Sequence, residues 1–464
     1  MNLTSHRSPL TAGEDTICAL ATAPGGALGI IRISGPQALE ILSRVFSKNL
    51  AQAQPNTIHY GHIVEGVAVA RQHTTINDEV MVSVFRAPHS YTGEDSVEIS
   101  CHGSRYILNK VLELLIKHGC RMAEPGEYTM RAFLNGKMDL SQAEAVADLI
   151  ASTSAASHRL AMNQMKGGFS RELRSLRDQL LQFTSLIELE LDFSEEDVEF
   201  ADRSQLEQLA AQIDDIITRL AKSFSTGDAI RNGVPVAIIG QTNTGKSTLL
   251  NQLLHDDRAL VSDIQGTTRD SIEDTTTIGG VLFRFIDTAG IRQTTDTVES
   301  MGIERSYRKA REASIILWMT DEAHPADAET EKTIGELSEG KHLIKVHNKC
   351  DDAYALPQPT DTDVWISAKY GYGLEQLNNL LVKAAAIPEI SEQDVIVTNM
   401  RHYESLVKAQ ECIRRVRQGL KDRISGDFLS QDIRQCIHHL STITGDITTD
   451  QILGNIFRHF CIGK

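Results

Sequence analysis

A glycine-rich segment near the middle of the chain has the residues and the spacing of a phosphate-binding loop. Gly240-Gln-Thr-Asn-Thr-Gly-Lys-Ser247 fits G-x-x-x-x-G-K-[ST] and lies between an apolar run, Val236–Ile239, and a helical run, Thr248–Leu254. The glycines let backbone N–H groups surround phosphate oxygens at a helix N-terminus. Lys246 is expected to reach the β- and γ-phosphate oxygens, and the Ser247 hydroxyl to ligate Mg²⁺. The spacing therefore predicts a nucleoside triphosphate site.

Three further motifs follow this loop, each at the end of an apolar run. Asp287-Thr-Ala-Gly290 predicts a carboxylate near Mg²⁺ and an N–H near the γ-phosphate. In Asn348-Lys-Cys-Asp351 the aspartate can accept hydrogen bonds from guanine N1–H and the 2-amino group, donors that adenine lacks. In Ser367-Ala-Lys369 a backbone N–H can meet guanine O6. The ordered set predicts GTP as the nucleotide.

One position departs from the Ras-like pattern. Ile291 follows Gly290 directly, where Ras-like GTPases carry the glutamine that orients the attacking water. An isoleucine side chain cannot orient water. Two alternatives stay open: hydrolysis is poor, or another group supplies the positioning and the positive charge.

Two charged residues interrupt apolar stretches in the N-terminal part of the chain. Arg32 lies between two isoleucines, and Glu98 lies between Val97 and Ile99. Strand alternation places each charge on the face opposite its apolar neighbours. A solvent-facing strand position would explain the same pattern, so the residues alone leave the role of this pair open.

The elements that would position these groups change in character along the chain. Residues 14–125 predict an α+β domain with a helix near 104–118 and three strands, Leu28–Ser34, Asp78–Phe85 and Ser96–Ser100. A capping box at Ser141–Glu144 is expected to begin a helical region. An acidic stretch from Glu188 to Asp202 is expected to be a solvated face or linker.

From Val234 to about 387, apolar strands alternate with helical segments, as in a doubly wound parallel sheet. The expected strands are Val236–Ile239, Leu282–Ile286, Ile315–Met319, Leu343–Val346 and Val364–Ile366. Residues 400–464 have helical character again. The simplest architecture is an α/β domain inserted into a helical one.

Composition restricts the class of protein. The chain has 464 residues, enough for several domains, and no run of about 18 apolar residues, which predicts a soluble protein. Its seven cysteines form no C-x-x-C pair, and residues 1–16 lack the apolar core of a signal peptide, so a cytoplasmic protein with reduced thiols is expected. The net charge of −16 argues against unaided, non-specific binding to nucleic acid.

These motifs together resemble the MnmE (TrmE) family of tRNA-modification GTPases over nearly the whole chain. Beside the GTPase motifs, the resemblance is carried by Tyr91-Thr-Gly-Glu-Asp95, Pro125-Gly-Glu-Tyr128, Arg131–Lys137, Met301-Gly-Ile-Glu-Arg305 and Cys461-Ile-Gly-Lys464. It implies a multidomain chain: an α+β folate-binding and dimerisation domain at 1–127, an all-α domain in two parts at 128–230 and 388–464, and an inserted α/β P-loop GTPase domain at 231–387. It also implies that the protein acts with a flavin-dependent partner, MnmG, to add a carboxymethylaminomethyl or aminomethyl group at C5 of the tRNA wobble uridine.

The resemblance further implies a potassium ion that supplies the charge given elsewhere by an arginine finger. By motif match its ligands are Asn243, Ser262, Ile264 and Thr267, whereas Ser247 and Thr268 ligate Mg²⁺. Glu299 matches the acid that steers the attacking water, with a solvated helix carboxylate as the alternative. The family usually has Arg-Pro-Asn after the first glycine and often Thr at position 262, and this chain keeps only the asparagine. The other nucleotide-contacting positions are Thr244, Gly245, Thr248, Asp263, Gln265, Gly266, Thr288, Ala289, Lys349, Ala368 and Lys369.

A one-carbon site is implied as well. Arg32, Glu98, Lys137 and Lys464 match the family's positions for a tetrahydrofolate derivative, 5-formyl- or 5,10-methylene-tetrahydrofolate. A pterin shares guanine's 2-amino-4-oxo edge, so we expect Glu98 to accept hydrogen bonds from it and the cations to pair with the folate carboxylates. Cys461 lies in a tail that is not a prenylation signal, because Gly463 is not aliphatic and Lys464 is an atypical last residue. Either Cys461 is a catalytic residue near the folate, or it packs the C-terminus.

Two other functions remain possible at this stage. One is a ribosome-assembly GTPase of the Era/EngA type, against which the acidic net charge counts. The other is a folate aminomethyltransferase with a regulatory GTPase domain. A requirement of turnover for tRNA and the flavoprotein would separate the last from wobble-uridine modification.

Overall fold

The structure is a computed structural model that describes residues 15–65, 75–192, 203–255, 274–286, 310–323, 328–352, 357–388, 391, 394–458, 460 and 462–463. The chain divides into two compact units. The first comprises Met1–Ala147, Met165–Thr184 and Arg434–Lys464, and the second Asp148–Gln164 and Ser185–Ile433. The account below covers the described residues of each unit by itself.

The first unit contains a mixed sheet of six strands in the order β3-β4-β5-β2-β1-β6. Neighbouring strands are antiparallel except β1 and β6, which are parallel. The strands are β1 (Ile17–Leu20), β2 (Leu28–Ser34), β3 (Thr57–Glu65), β4 (Thr75–Phe85), β5 (Ser96–His102) and β6 (Arg121–Met122). Two amphipathic helices, α1 (Ala38–Val45) and α2 (Arg105–Lys117), share one buried core with apolar side chains of the sheet such as Ile33 and Val97.

Strand alternation determines what the other face of this sheet presents. The register pairs Arg32 on β2 with Glu98 on β5, both on the face opposite the apolar core. Three large apolar side chains on β3 and β4, Ile58, Tyr60 and Met81, are more than half exposed. We call this the outer face of the sheet. The prediction of strands over Leu28–Ser34, Asp78–Phe85 and Ser96–Ser100 is confirmed, with β4 and β5 somewhat longer.

Helices complete the first unit. They include α3 (Glu127–Leu134), the start of α4 (Leu140–Ala151), part of α6 (Gly168–Asp192), the end of α12 (Gly426–Thr444) and α13 (Asp450–Phe457). The capping box predicted at Ser141–Glu144 is wrong by two residues. Asp139 Oδ1 accepts from the Gln142 N–H, and Gln142 Oε1 accepts from the Asp139 N–H, each at 3.0 Å. The helix therefore begins at Leu140, and Ser141 already lies inside it.

The second unit contains a six-stranded sheet in the order β12-β11-β10-β7-β9-β8. Its strands are β7 (Val234–Gly240), β8 (Asp274–Ile278), β9 (Val281–Phe285), β10 (Ile315–Thr320), β11 (His342–His347) and β12 (Asp363–Trp365). All neighbours are parallel except β8, which forms an antiparallel edge hairpin with β9 through Gly279 and Gly280. The parallel core was predicted, whereas the antiparallel edge strand was not.

Apolar clusters cover both faces of this sheet, as a doubly wound fold requires. One face packs against α8 (Lys246–His255) and α10 (Leu374–Ala385), and the other against α9 (Ala328–Leu337). Every residue of the central strand β10 is buried. Because parallel strands end at the same edge, the loops after β7, β10, β11 and β12 come together there.

The remaining helices of the second unit are α5 (Ala155–Met165), α7 (Arg203–Asn232) and α11 (Met400–Lys421). Helix α7 runs into β7, and it packs against α11, where the rings of Phe224 and Tyr403 stack at 4.6 Å. Helices thus precede and follow the α/β sheet along the chain. Among the described helices, none has the length and apolar character needed to span a bilayer.

Candidate functional site

The phosphate-binding loop joins the end of β7 to the start of α8, as the sequence predicted. Its backbone is left-handed or otherwise restricted at three positions, with φ of +153° at Gly240, +64° at Asn243 and +95° at Gly245. A Cβ on Gly240 would lie 2.4 Å from the Met319 carbonyl oxygen, and one on Gly245 would lie 2.2 Å from Asn348 Nδ2. The loop can adopt this path only because both residues are glycines.

Lys246, the first residue of α8, has its ammonium inside the loop. Its Nζ donates to the carbonyl oxygens of Gly240 at 2.8 Å and Gln241 at 2.6 Å. Burial lowers the pKa of Lys246 from its ordinary value. A cation at the N-terminus of a helix favours an anion such as a phosphate.

Asn348 connects three of the predicted motifs. This buried side chain donates from Nδ2 to the Thr244 carbonyl at 2.8 Å and accepts the Ala368 N–H on Oδ1 at 2.9 Å. Both polar ends of the amide are therefore satisfied. Residues that lie far apart in the sequence, in the phosphate loop and in the two base-site motifs, are held in one hydrogen-bonded arrangement.

Asp351 is hydrogen-bonded to a residue of the same arrangement. The Ser367 hydroxyl donates to Asp351 Oδ1 at 2.6 Å, and the Cys350 N–H donates to the Ile366 carbonyl at 3.0 Å. The Asp351 residue itself is exposed. An oriented and accessible carboxylate of this kind can accept from two adjacent N–H donors, which is the pattern of guanine N1 and N2.

The two lysines of the base-site motifs have partners that the sequence analysis did not identify. Lys349 has a left-handed backbone with φ of +66°, and its Nζ lies 2.5 Å from Oδ2 of Asp321. Lys369 Nζ lies 4.8 Å from the ring centroid of Tyr370. The signal that could have revealed Asp321 is its position as the first residue after the apolar strand β10.

Several predicted site residues lie outside the described residues. They are Ser262, Asp263, Ile264, Gln265, Gly266, Thr267, Thr268, Asp287, Thr288, Ala289, Gly290, Glu299, Cys461 and Lys464, together with Ile291. Within the described part of the chain, no group of three His, Cys, Asp or Glu side chains is placed to hold a metal ion.

In the first unit, the structure brings Arg32 and Glu98 together on the outer face. Arg32 donates from Nε at 2.9 Å and from Nη2 at 2.7 Å, and both bonds go to Glu98 Oε1. Arg32 Nη1 also donates to the Gly463 carbonyl at 3.3 Å. The C-terminal segment therefore reaches the pair that the sequence singled out.

Two tyrosine rings lie within cation–π distance of the Arg32 guanidinium. Its central carbon lies 5.6 Å from the ring centroid of Tyr91 and 5.5 Å from that of Tyr128. Tyr128 also donates its hydroxyl to the Arg32 carbonyl at 2.8 Å. Lys137 is not bonded to Arg32 or Glu98. Its Nζ donates instead to the Pro88 carbonyl at 2.8 Å.

A buried ion network that the sequence analysis missed lies beside this site. The side chain of Arg131 on α3 is fully buried and pairs with Glu127 at 2.9 Å, Asp15 at 2.7 Å and Glu94 at 3.1 Å. Burial acts to raise the pKa of Glu127, but hydrogen bonds from Arg121 and Arg131 outweigh it and hold that pKa below its usual value. The network fixes α3, which carries Tyr128, against the sheet.

Comparison with known proteins identifies the family of the chain. The family model described as "GTP-binding protein TrmE N-terminus" matches residues 16–137, and "MnmE helical domain" matches 140–461. The chain is 59% identical to the tRNA modification GTPase MnmE of Bacteroides thetaiotaomicron, covering 97% of this chain and 100% of the relative. It is 50% identical to that of Christiangramia forsetii, covering 97% and 99%.

Among solved structures, Era of Aquifex aeolicus bound to GDP and aluminium fluoride is 26% identical, covers 38% of this chain and 66% of that one, and has a TM-score of 0.24. That superposition is too weak to add to the assignment, which rests on the family models and the full-length relatives. The chain has a GTPase-type phosphate loop, and it matches these relatives over 97% of its length. It therefore belongs to the MnmE family of tRNA-modification GTPases.

Proposed function

We propose that the chain is a potassium-dependent GTPase that acts with the flavoprotein MnmG to add a carboxymethylaminomethyl or aminomethyl group to C5 of the tRNA wobble uridine. The observation that carries the nucleotide part is the Asn348 amide, which joins the phosphate loop to the base-site motif. Family membership supports the tRNA substrate and favours this function over ribosome assembly. Mass spectrometry of wobble nucleosides from cells without the protein tests it, and unchanged wobble uridines would overturn it.

Within the GTPase site, each residue has a proposed task. Lys246 binds the β- and γ-phosphate oxygens, and loop N–H groups share their charge. Ser247 and Thr268 bind Mg²⁺ with Asp287 close to its shell, and Glu299 orients the attacking water. The oxygens of Asn243, Ser262, Ile264 and Thr267 bind K⁺, which supplies positive charge near the phosphates. The left-handed turn at Asn243 within the loop and the isoleucine at position 291 both support a cation in this role.

The potassium proposal is tested by the rate of GTP hydrolysis in K⁺ and in Na⁺. We expect a strong increase in K⁺ for the wild type, since no glutamine follows Gly290. Asn243→Ala should abolish the increase and preserve much of the nucleotide affinity, because the loop backbone remains. Equal wild-type rates in the two salts would contradict the proposal.

We also propose that Arg32, Glu98, Lys137 and Lys464 bind a tetrahydrofolate derivative at the outer face. The pair fits such a group because both bonds from Arg32 to Glu98 end on one oxygen, Oε1, and because the two side chains remain 20% and 28% exposed. Glu98 would accept from the pterin edge, and the cations would pair with folate carboxylates. Cys461 is proposed as a residue of this site because Gly463, two residues later, contacts Arg32.

The outer face is also the surface through which we propose that the protein forms a homodimer. Ile58, Tyr60 and Met81 expose apolar surface there, on the same face of the sheet as the proposed folate pair. Met81→Glu should convert the dimer into a monomer in light scattering. Dimers that persist in this variant would place the dimer contact elsewhere.

The compartment and the domain boundaries remain proposals. A cytoplasmic location is supported by described cysteines that form no disulfide, namely Cys18, Cys101, Cys120, Cys350, Cys412 and Cys436. We propose domains at 1–127, 128–230, 231–387 and 388–464, with the GTPase domain inserted into the helical one. The helices before and after the α/β sheet support this order.

A further inference from the structure

We propose that Asp321 is a positioning residue of the guanine site, which holds Lys349 along the bound base; this inference rests on the GTP site proposed above. Asp321 follows the last residue of β10, and its side chain is 1% exposed. Lys349 Nζ lies 2.5 Å from Asp321 Oδ2, whereas the lysine side chain as a whole is 47% exposed. The ammonium is thus fixed at a buried carboxylate, and the aliphatic stem remains at the surface of the site.

The neighbours of Lys349 fix where this stem runs. Asn348, one residue before, is bonded to the phosphate loop and to Ala368. Asp351, two residues after, is oriented by the Ser367 hydroxyl beside the guanine-binding position. Lys349 therefore lies between the phosphate end and the base end of the nucleotide site. A methylene stem in this place can cover one face of a planar base.

The left-handed backbone at Lys349 supports this assignment. Non-glycine residues rarely adopt φ of +66°, so the surrounding structure must compensate for the strain. The ion pair with Asp321 restrains the side chain that leaves this strained position. Asp321 would then reduce the loss of side-chain freedom when the nucleotide binds, because the lysine is already ordered.

The alternative is that the ion pair serves only the fold. A buried carboxylate needs a cation, and Lys349 could supply it without any effect on the nucleotide. The two roles predict different effects of substituting Asp321. A role in the fold would change thermal stability alone. A positioning role would also change nucleotide affinity in protein that is fully folded at the temperature of the assay.

The test measures binding of a fluorescent GDP to the full-length protein and its variants. We expect Asp321→Asn to lower the affinity for GDP by about 3- to 10-fold, mainly through faster dissociation. Asp321→Glu, which keeps the carboxylate, should retain part of the affinity that Asp321→Asn loses. The affinity for inosine diphosphate, which lacks the 2-amino group, should fall by the same factor, because Asp351 and its recognition of the base edge are unchanged in the variant. The preference for GDP over inosine diphosphate should therefore be unchanged.

A double-mutant cycle and a matched control complete the design. Lys349→Ala should lose at least as much affinity as Asp321→Asn, because it also removes the stem, and the double variant should lose no more than Lys349→Ala alone. Glu331→Gln removes another acid that pairs with a lysine of the same sheet, Lys345 at 3.6 Å, and should leave GDP binding unchanged. If Asp321→Asn fails to fold, Asp321→Glu and Lys349→Ala carry the comparison. Wild-type affinity in folded Asp321 variants or in Lys349→Ala, or additive losses in the double variant, would overturn the proposal.

Discussion

We propose that selectivity for guanine depends on one carboxylate, that of Asp351, to which the Ser367 hydroxyl donates at 2.6 Å. In Asp351→Asn the amide offers a donor where guanine N2 also offers one, so GTP affinity should fall by about 10- to 150-fold. Xanthosine triphosphate has an oxygen at that position, so it should bind Asp351→Asn more tightly than it binds the wild type. Competition binding of the two nucleotides checks this, and unchanged GTP affinity would remove Asp351 from the base site.

A second prediction at the residue scale concerns Gly245. A Cβ there would lie 2.2 Å from Asn348 Nδ2, so Gly245→Ala must displace the amide that joins the loop to Ala368. We expect GTP affinity to fall by at least about tenfold. Gly340→Ala is the control, because that residue has a similar φ of +73° and no atom within 4 Å of the added Cβ. Equal effects of the two substitutions on GTP binding would show that backbone strain, and not the Asn348 contact, is responsible.

At the scale of elements, apolar patterns in the sequence predicted the bounds of a strand best where that strand is buried. The five parallel strands of the second unit and β2 were expected within one or two residues, because their burial leaves a continuous or regularly alternating apolar pattern. Strand β3 was missed, since exposed Ile58 and Tyr60 obscure its pattern, and β8 was missed because three of its five residues are threonines.

The same contrast holds for the sites. Motif spacing singled out Asn348, Ser367 and Asp351 as candidate site residues, and the hydrogen bonds that the structure shows for them run between residues of the motifs themselves. The contact of Lys349 with Asp321 depends on how β10 and β11 pair, and that of Arg131 with Asp15 joins residues more than 100 positions apart. Such tertiary contacts leave no periodic signal in the sequence.

Helix α3 should depend on its buried ions for its place on the sheet. Glu127→Gln leaves Arg131 with one carboxylate fewer and should cost about 3 kcal/mol in the free energy of unfolding at pH 7. The pKa of Glu127 is lowered in the folded protein, so its contribution is present above the unfolded pKa and is lost as the pH falls through the folded one.

Denaturation of the full chain over a range of pH checks this. The stability difference between the wild type and Glu127→Gln should shrink below about pH 4.3, the usual range of a glutamate, because a protonated Glu127 resembles glutamine. Glu113→Gln, which alters an exposed pair with Lys110 at 3.4 Å, should change stability by less than about 0.5 kcal/mol at any pH. A difference between wild type and Glu127→Gln that stays constant with pH would show that packing, and not charge, makes this contribution.

At the scale of the whole molecule, the two proposed chemistries lie in different compact units and should respond separately to substitution. Arg32 and Glu98 belong to the first unit, and the phosphate loop with its base site belongs to the second. Glu98→Ala should leave the pterin edge unpaired and lower the affinity for formyl-tetrahydrofolate by roughly 5- to 150-fold. Hydrolysis of GTP by the protein alone should barely change.

Modification of tRNA with the flavoprotein partner should nevertheless fall in this variant, because the one-carbon donor is bound less often. Glu40→Ala is the matched control, since Glu40 lies in the same unit and pairs with Arg44 on the exposed side of α1. It should retain both folate binding and modification. Calorimetric titration of formyl-tetrahydrofolate decides between the outcomes: identical binding to the wild type and to Glu98→Ala would remove the folate role from this pair. A fall in GTP hydrolysis equal to the fall in modification would show that the two units do not act separately.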